Sequence, residues 1–145
     1  MKRPIRRWLL AATMLVGCGP NQAAPVATVG PHQGRMLALP DGAGFVEVVA
    51  ENRPGSGRTL TPEVAAYFFG PDAQAALLPA PTDVALQVYL DEAKEMKPVA
   101  LKPAPAAAAP QTPRFAATPP PGFDGTLRTG RVNATVAGRA VDLMF

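Results

Sequence analysis

Two side chains in this sequence stand alone in their chemistry: Cys18 is its one cysteine and His32 its one histidine. A neutral imidazole can ligate copper, nickel or zinc, and the thioether of Met36, four residues on, is a soft donor that suits Cu(I). His32 and Met36 are therefore the candidate metal ligands, for copper or nickel. Fully extended chain would separate them by about 13 Å, so a shared ion needs a bend between them. The other reading of His32 is a surface residue at the entry of the first strand, with Met36, Met96 and Met144 as core or edge fillers. Covalent catalysis finds no support. The one serine, Ser56, lies in a Gly-Ser-Gly turn, and neither a Ser-His-Asp nor a Cys-His constellation can be assembled. A single cysteine and a single histidine also exclude an intrachain disulfide and a Cys/His zinc site. The acidic residues Glu47, Glu51, Asp91, Glu92 and Glu95 are accompanied by no Asp-x-Asp-x-Asp-Gly loop, and are expected on solvated faces and in turns.

The elements that must position these residues begin after a targeting segment. The chain has 145 residues and a formal net charge of +3. Four of its basic residues, Lys2, Arg3, Arg6 and Arg7, fall in the first seven positions, and without them the remainder carries 10 basic and 11 acidic side chains. No basic patch survives to track a phosphate backbone, so nucleic acid is not an expected partner. The uninterrupted apolar run from Trp8 to Val16 has the length of a signal-peptide core and is too short for the roughly 20 residues of a membrane-spanning helix. It ends in Leu15-Val16-Gly17-Cys18, which resembles the lipobox of bacterial lipoproteins. The resemblance implies that residues 1–17 are a signal peptide, that the Cys18 thiol is alkylated by diacylglycerol, and that the new amino terminus is acylated, typically with palmitate. Acyl chains add about 0.8 kcal/mol per buried methylene, so two or three would hold the protein at the membrane through its N-terminal lipid. Gly19, where inner-membrane lipoproteins carry aspartate, implies the outer membrane, facing the periplasm.

Residues 18–31 read as a flexible, proline-punctuated tether, and residues 32–145 as one domain. Its period is two. Val46, Val48 and Ala50 alternate with Glu47 and Glu51, and Val84, Leu86, Val88 and Leu90 alternate with Ala85, Gln87 and Tyr89. Val64–Phe69 is apolar on both faces, as a central or covered strand would be. Val132–Val136 and Ala140–Phe145 flank an Ala137-Gly138 turn. Arg35–Leu39, Pro98–Leu101, Arg114–Ala117 and Thr126–Thr129 are shorter candidates, and Asp91–Met96 has room for one helical turn. Residues 102–113, broken by four prolines, read as a long surface loop. Seven to eight short strands between Gly, Pro and Asp turns predict an all-β fold, an antiparallel β-sandwich or small barrel. Strands that short cannot make an outer-membrane barrel, which needs roughly 9–11 residues per crossing.

Pro31-His32-Gln33-Gly34, Val46-Glu47-Val48-Val49, Val88-Tyr89-Leu90-Asp91, Arg114-Phe115 and the Gly-rich end from Gly125 to Phe145 occur in an order similar to that of a family of small bacterial secreted and lipid-anchored proteins with a Pro-His-Gly-Gly-like motif. A similar His-Gly-Gly opening occurs in periplasmic adaptor subunits of heavy-metal efflux pumps. The resemblance implies metal handling for the wider group, although Gln33 stands here where the first glycine would be. Two functions are expected from the whole sequence. The first is a lipid-anchored, non-catalytic binding or structural module with an envelope protein as partner, using outward Tyr67, Phe69 and Tyr89 unless a second layer covers them. The alternative is a periplasmic copper- or nickel-binding accessory protein related to heavy-metal efflux.

Overall fold

The computed structural model describes residues 28–54, 60–90, 94–104 and 112–145. Within them ten strands form two antiparallel sheets. In chain order they are β1 (Thr28–Val29), β2 (Arg35–Ala38), β3 (Phe45–Pro54), β4 (Leu60–Phe69), β5 (Thr82–Leu90), β6 (Glu95–Ala100), β7 (Lys102–Ala104), β8 (Arg114–Ala117), β9 (Gly130–Val136) and β10 (Arg139–Met144), with one 3-10 turn at Pro40–Gly42. The six-stranded sheet has the order β1-β2-β3-β4-β8-β7 and the four-stranded sheet β10-β9-β5-β6.

Alternation along each strand explains the packing between the sheets. Val46 and Val48 from β3 and Val64, Ala66 and Phe68 from β4 face Val84, Leu86, Val88 and Leu90 from β5 and Val132, Ala134 and Val136 from β9 in one continuous core. Phe68 meets Phe115 edge to face, centroids 5.8 Å apart at 86°, the arrangement that ring quadrupoles favour. The chain passes from the four-stranded to the six-stranded sheet at Leu101, whose N–H donates to the carbonyl of Val84 at 3.0 Å. The β9–β10 hairpin turns through Ala137 and Gly138, both at positive φ as a two-residue primed turn requires. Gly130 and Phe145 then close its open end with two backbone hydrogen bonds of 3.0 Å.

The all-β sandwich expected from the periodicity is thus the fold, with corrections of detail. Ten strands replace seven or eight because β1 and β7, of two and three residues, carry too few side chains to show a period. The principal strands are longer than expected, ten residues in β3 and β4 and nine in β5. The first sheet takes up Thr28–Val29 from the stretch assigned to the tether. Lys102–Ala104, expected in a loop, is an edge strand, and an edge is where Pro103 can be tolerated. Thr126–Thr129 is not a strand, because the Asp124 carboxylate accepts the Thr126 N–H at 2.8 Å and curls the chain into a turn. Glu95 and Met96, expected in a helical turn, begin β6 instead. The signal segment, Leu15, Val16, Gly17 and Cys18 of the lipobox-like sequence, Asp91, Glu92 and residues 105–111 lie outside the described residues.

Candidate functional site

The register of the six-stranded sheet creates a row of side chains on the face turned away from the core. Met36 lies opposite Glu47, Glu47 opposite Tyr67, and Tyr67 opposite Arg114. Because successive residues of a strand point to opposite faces, these four share one face while Val46, Val48, Ala66, Phe68 and Phe115 fill the other. Around the row Met36, Val49, Ala65, Tyr67, Phe69 and Ala116 form a second, smaller apolar cluster.

His32 reaches this row because the β1–β2 connection folds back over it. Gly30 N–H donates to the Gly34 carbonyl at 3.0 Å and Gln33 N–H to the Gly30 carbonyl at 2.9 Å, with Gln33 at φ 63°. Both flanking glycines are needed for close approach. A Cβ on Gly30 would lie 2.3 Å from Glu47 Cδ, and one on Gly34 would lie 2.2 Å from Val49 Cγ1. The turn delivers three donors to one carboxylate: Glu47 Oε1 accepts from the backbone N–H of His32 at 2.8 Å and of Gly34 at 2.7 Å, and Oε2 accepts from His32 Nδ1 at 2.8 Å. Glu47 has no accessible surface, and a buried carboxylate is tolerable only when its oxygens are satisfied in this way. An acceptor at Oε2 places the ring hydrogen on Nδ1 and leaves Nε2 as the free nitrogen of the neutral imidazole.

The ring itself lies flat on Tyr67, centroids 3.8 Å apart and planes 10° from parallel, with Phe69 at 6.1 Å. Its side chain remains 37% exposed. With one face on Tyr67 and the Nδ1 edge on Glu47, that exposure belongs to the other face and the Nε2 edge.

Tyr67 is held in turn. Its hydroxyl accepts from Arg114 Nε at 3.0 Å and donates to the Glu51 carboxylate, 3.3 Å from each oxygen. Arg114 Nη2 donates to Glu51 and Glu63, and the guanidinium has no accessible surface. Arg114 Nη1 is buried without a hydrogen-bond partner. Burial pushes the Tyr67 hydroxyl above its ordinary pKa of 10.0, outweighing the Arg114 hydrogen bond that pulls it down. For Arg114 the order is reversed. Burial disfavours its charge, but hydrogen bonds to Glu51, Glu63 and Tyr67 outweigh that cost and raise its pKa above the ordinary value.

A cleft of about 570 Å³ has His32, Gln33, Arg35, Val49, Thr126 and Leu127 among its lining residues. A larger cleft of about 890 Å³ lies where β7 and β8 meet the start of β5, lined chiefly by apolar residues including Val84, Leu101, Pro103 and Phe115. Size favours the second, but the first is the one that His32 lines.

Several expected positions are corrected. Glu47, expected on a solvated face, is fully buried because the His32 turn covers it. Glu51 is half-buried and paired with Arg114. Tyr67 and Phe69, expected as an outward partner surface, are only 4% and 3% exposed, whereas Tyr89 on the four-stranded sheet is exposed. Met36 is buried in the smaller apolar cluster as the cross-strand neighbour of Glu47, and Met144 is exposed on β10. Glu95 pairs with Lys97 at 2.8 Å on the surface. Among the described residues no group of three or more His, Cys, Asp or Glu side chains could hold a metal ion. Arg114 was not expected at a site; the Arg114-Phe115 segment was visible in the sequence, its charged contacts were not. No family model, curated protein or solved structure matches the chain.

Proposed function

We propose that this chain is a lipid-anchored protein of the bacterial envelope, held through Cys18 in the outer membrane with its β-sandwich facing the periplasm, and that the sandwich is a non-catalytic binding module whose ligand meets the cleft beside His32. One observation carries the reading. All three donors on a buried carboxylate come from the His32 turn, so the fold invests a buried charge and two close-packed glycines in fixing one partly exposed ring. A ring that served only as surface would not require that support. The non-catalytic part rests on composition, since one serine and one cysteine leave no nucleophile paired with the histidine.

The test is a photoreactive amino acid at the exposed cleft position Thr126, expressed in the full chain in its own envelope, with exposed Gln74 as the control site. Adducts at Thr126 that disappear in a His32→Ala background and never form at Gln74 support the reading; equal labelling at both sites refutes it. The anchor is checked separately by the intact mass of the mature protein, which should carry an acylated glyceryl group on Cys18, and by loss of the membrane-bound form in Cys18→Ala.

A second reading, copper or nickel binding, has one observation in its favour. A carboxylate on Nδ1 is the usual outer-shell partner that orients a metal-binding histidine. The donor set falls short within one chain, because a single imidazole nitrogen among the described residues does not hold a specific site and Met36 is turned into the apolar cluster.

A further inference from the structure

We propose that two copies of this chain pair along β10, antiparallel, with Leu143 opposite its counterpart, so that their two four-stranded sheets run on into one.

Among the described residues four strands end the two sheets, β1 and β7 in one, β10 and β6 in the other. An exposed sheet edge invites a further strand, and folded proteins blunt it by shortness, lysine or proline. β1 has two residues, β6 carries Lys97 and Pro98, and β7 carries Lys102 and Pro103. β10 has six residues and neither lysine nor proline. Its charges are already met inside the chain, Arg139 by Asp41 at 3.0 Å and Asp142 by Arg131 at 2.9 Å.

The register identifies the groups left open. Gly130 and Phe145 exchange both backbone hydrogen bonds. Bonded pairs alternate with non-bonded ones along an antiparallel ladder, so Val132 with Leu143, Ala134 with Val141 and Val136 with Arg139 are bonded pairs too. Ala140, Asp142 and Met144 therefore aim N–H and C=O away from β9, and among the described residues only β9 pairs with β10. The occupant must be an extended strand with a free edge of its own. Of the strands that end a sheet here, only β10 offers that edge unblunted, so its match is the β10 of a second copy.

Side chains select the alignment. Pairing centred on Asp142 sets two carboxylates directly opposite each other, which is repulsive. Pairing centred on Val141 uses the start of β10, where Arg139 already reaches across to Asp41, and sets Arg139 against Leu143. Pairing centred on Leu143 uses the far half of the strand. Asp142 and Met144 of the two copies then exchange backbone hydrogen bonds, and on the core-side face the half-buried Leu143 and Phe145 meet Leu143 and Val141 of the second copy. Met144, 62% exposed in the single chain, lies beside Asp142 of the second copy.

The experiment uses the full chain purified in maltoside detergent, with one cysteine added at a time and the parent, whose one cysteine is Cys18, as the blank. Opposite residues of a non-bonded pair lie about 4.5 Å apart between Cα atoms, inside the roughly 4.4–6.8 Å that a disulfide spans. Leu143→Cys should form a disulfide-linked dimer under mild oxidation. Asp142→Cys and Val141→Cys, about 8 and 13 Å from their counterparts, should stay at the level of the blank. Light scattering should show the parent as a dimer at about micromolar concentration. Met144→Pro removes an outward N–H and none of the bonds to β9, so it should keep the circular dichroism of the fold and weaken the dimer at least about tenfold. A folded Leu143→Cys protein that cross-links no more than the blank overturns the proposal, as does preferential cross-linking at 141 or 142. So does a parent that stays a single chain at about a hundredfold higher concentration, or a dimer that Met144→Pro leaves unchanged. Oxidation of Leu143→Cys in intact envelopes that gives a mixed disulfide with another protein, and no dimer, overturns it in favour of a strand from a different partner.

Discussion

Removing the Glu47 carboxylate tests whether it, and not the local sequence, holds His32 in place. Glu47→Ala withdraws the acceptor from two backbone N–H groups and one ring N–H, and leaves a void under Gly30 and Gly34. Each hydrogen bond to a charged group contributes about 1.5–3 kcal/mol, but the turn lies at the surface and can swing out to water, recovering much of that loss. With three such bonds lost and part of that loss recovered in water, about 3 kcal/mol of destabilisation is expected. Glu47→Gln separates charge from shape. Its amide oxygen can still accept both backbone N–H groups, while its NH₂ replaces the acceptor that faced Nδ1. The ring must then carry its hydrogen on Nε2, at a smaller cost of about 1 kcal/mol. Urea unfolding measures both values, and long-range nitrogen–proton correlation of the single imidazole reads the tautomer directly. A Glu47→Ala protein within about 0.5 kcal/mol of the parent, with an unmoved His32 spectrum, would refute the account, since that is the range of ordinary surface substitutions.

Three shorter tests address the supporting residues. Gly30→Ala places a methyl 2.3 Å from Glu47 Cδ, so it should displace the turn, cost about 1–3 kcal/mol and broaden or shift His32; an unchanged spectrum would contradict the packing. Arg114→Met leaves Glu51 and Glu63 facing each other without their shared cation, and because those carboxylates remain 27% and 25% exposed the loss should be about 2 kcal/mol, below the 3–5 of a fully buried pair. In Tyr89→Phe the phenolate absorbance reports Tyr67 alone, and it should appear above the ordinary value of 10.0. A raised folded-state pKa means that this contribution to stability is complete below the ordinary value and is lost as pH climbs through the folded one; phenolate appearing at the ordinary value in folded protein would count against the burial argument.

The architecture was legible wherever one face of a strand is buried and the other wet. Val84, Leu86, Val88 and Leu90 alternate with half-buried and exposed residues, and period two gives both the strand and its inward face. The six-stranded sheet is different because it is covered in places on both sides. Glu47 sits at an outward position by alternation, and that pattern is the same whether water or a folded-back turn lies above it. Only the close approach of Gly30 and Gly34, separated by Pro31, His32 and Gln33, distinguishes the two, and glycines at that spacing are equally at home in an open turn. The same ambiguity hid Tyr67 and Phe69. Arg114 was hidden for another reason: its partners Glu51 and Glu63 are 63 and 51 residues away, and only the β3–β4–β8 register brings them together. His32 was legible as the one side chain with obvious chemistry.

The order of supports makes the site stiff. Glu47 fixes the Nδ1 edge of His32, Tyr67 fixes a face of the ring, Arg114 and Glu51 fix the Tyr67 hydroxyl, and Glu63 shares the guanidinium with Glu51. His32, Tyr67 and Arg114 are each held from two directions by residues on β3, β4 and β8, whose backbones are paired with one another. A side chain locked by its neighbours loses little further freedom when a ligand arrives, so affinity is not spent on ordering it.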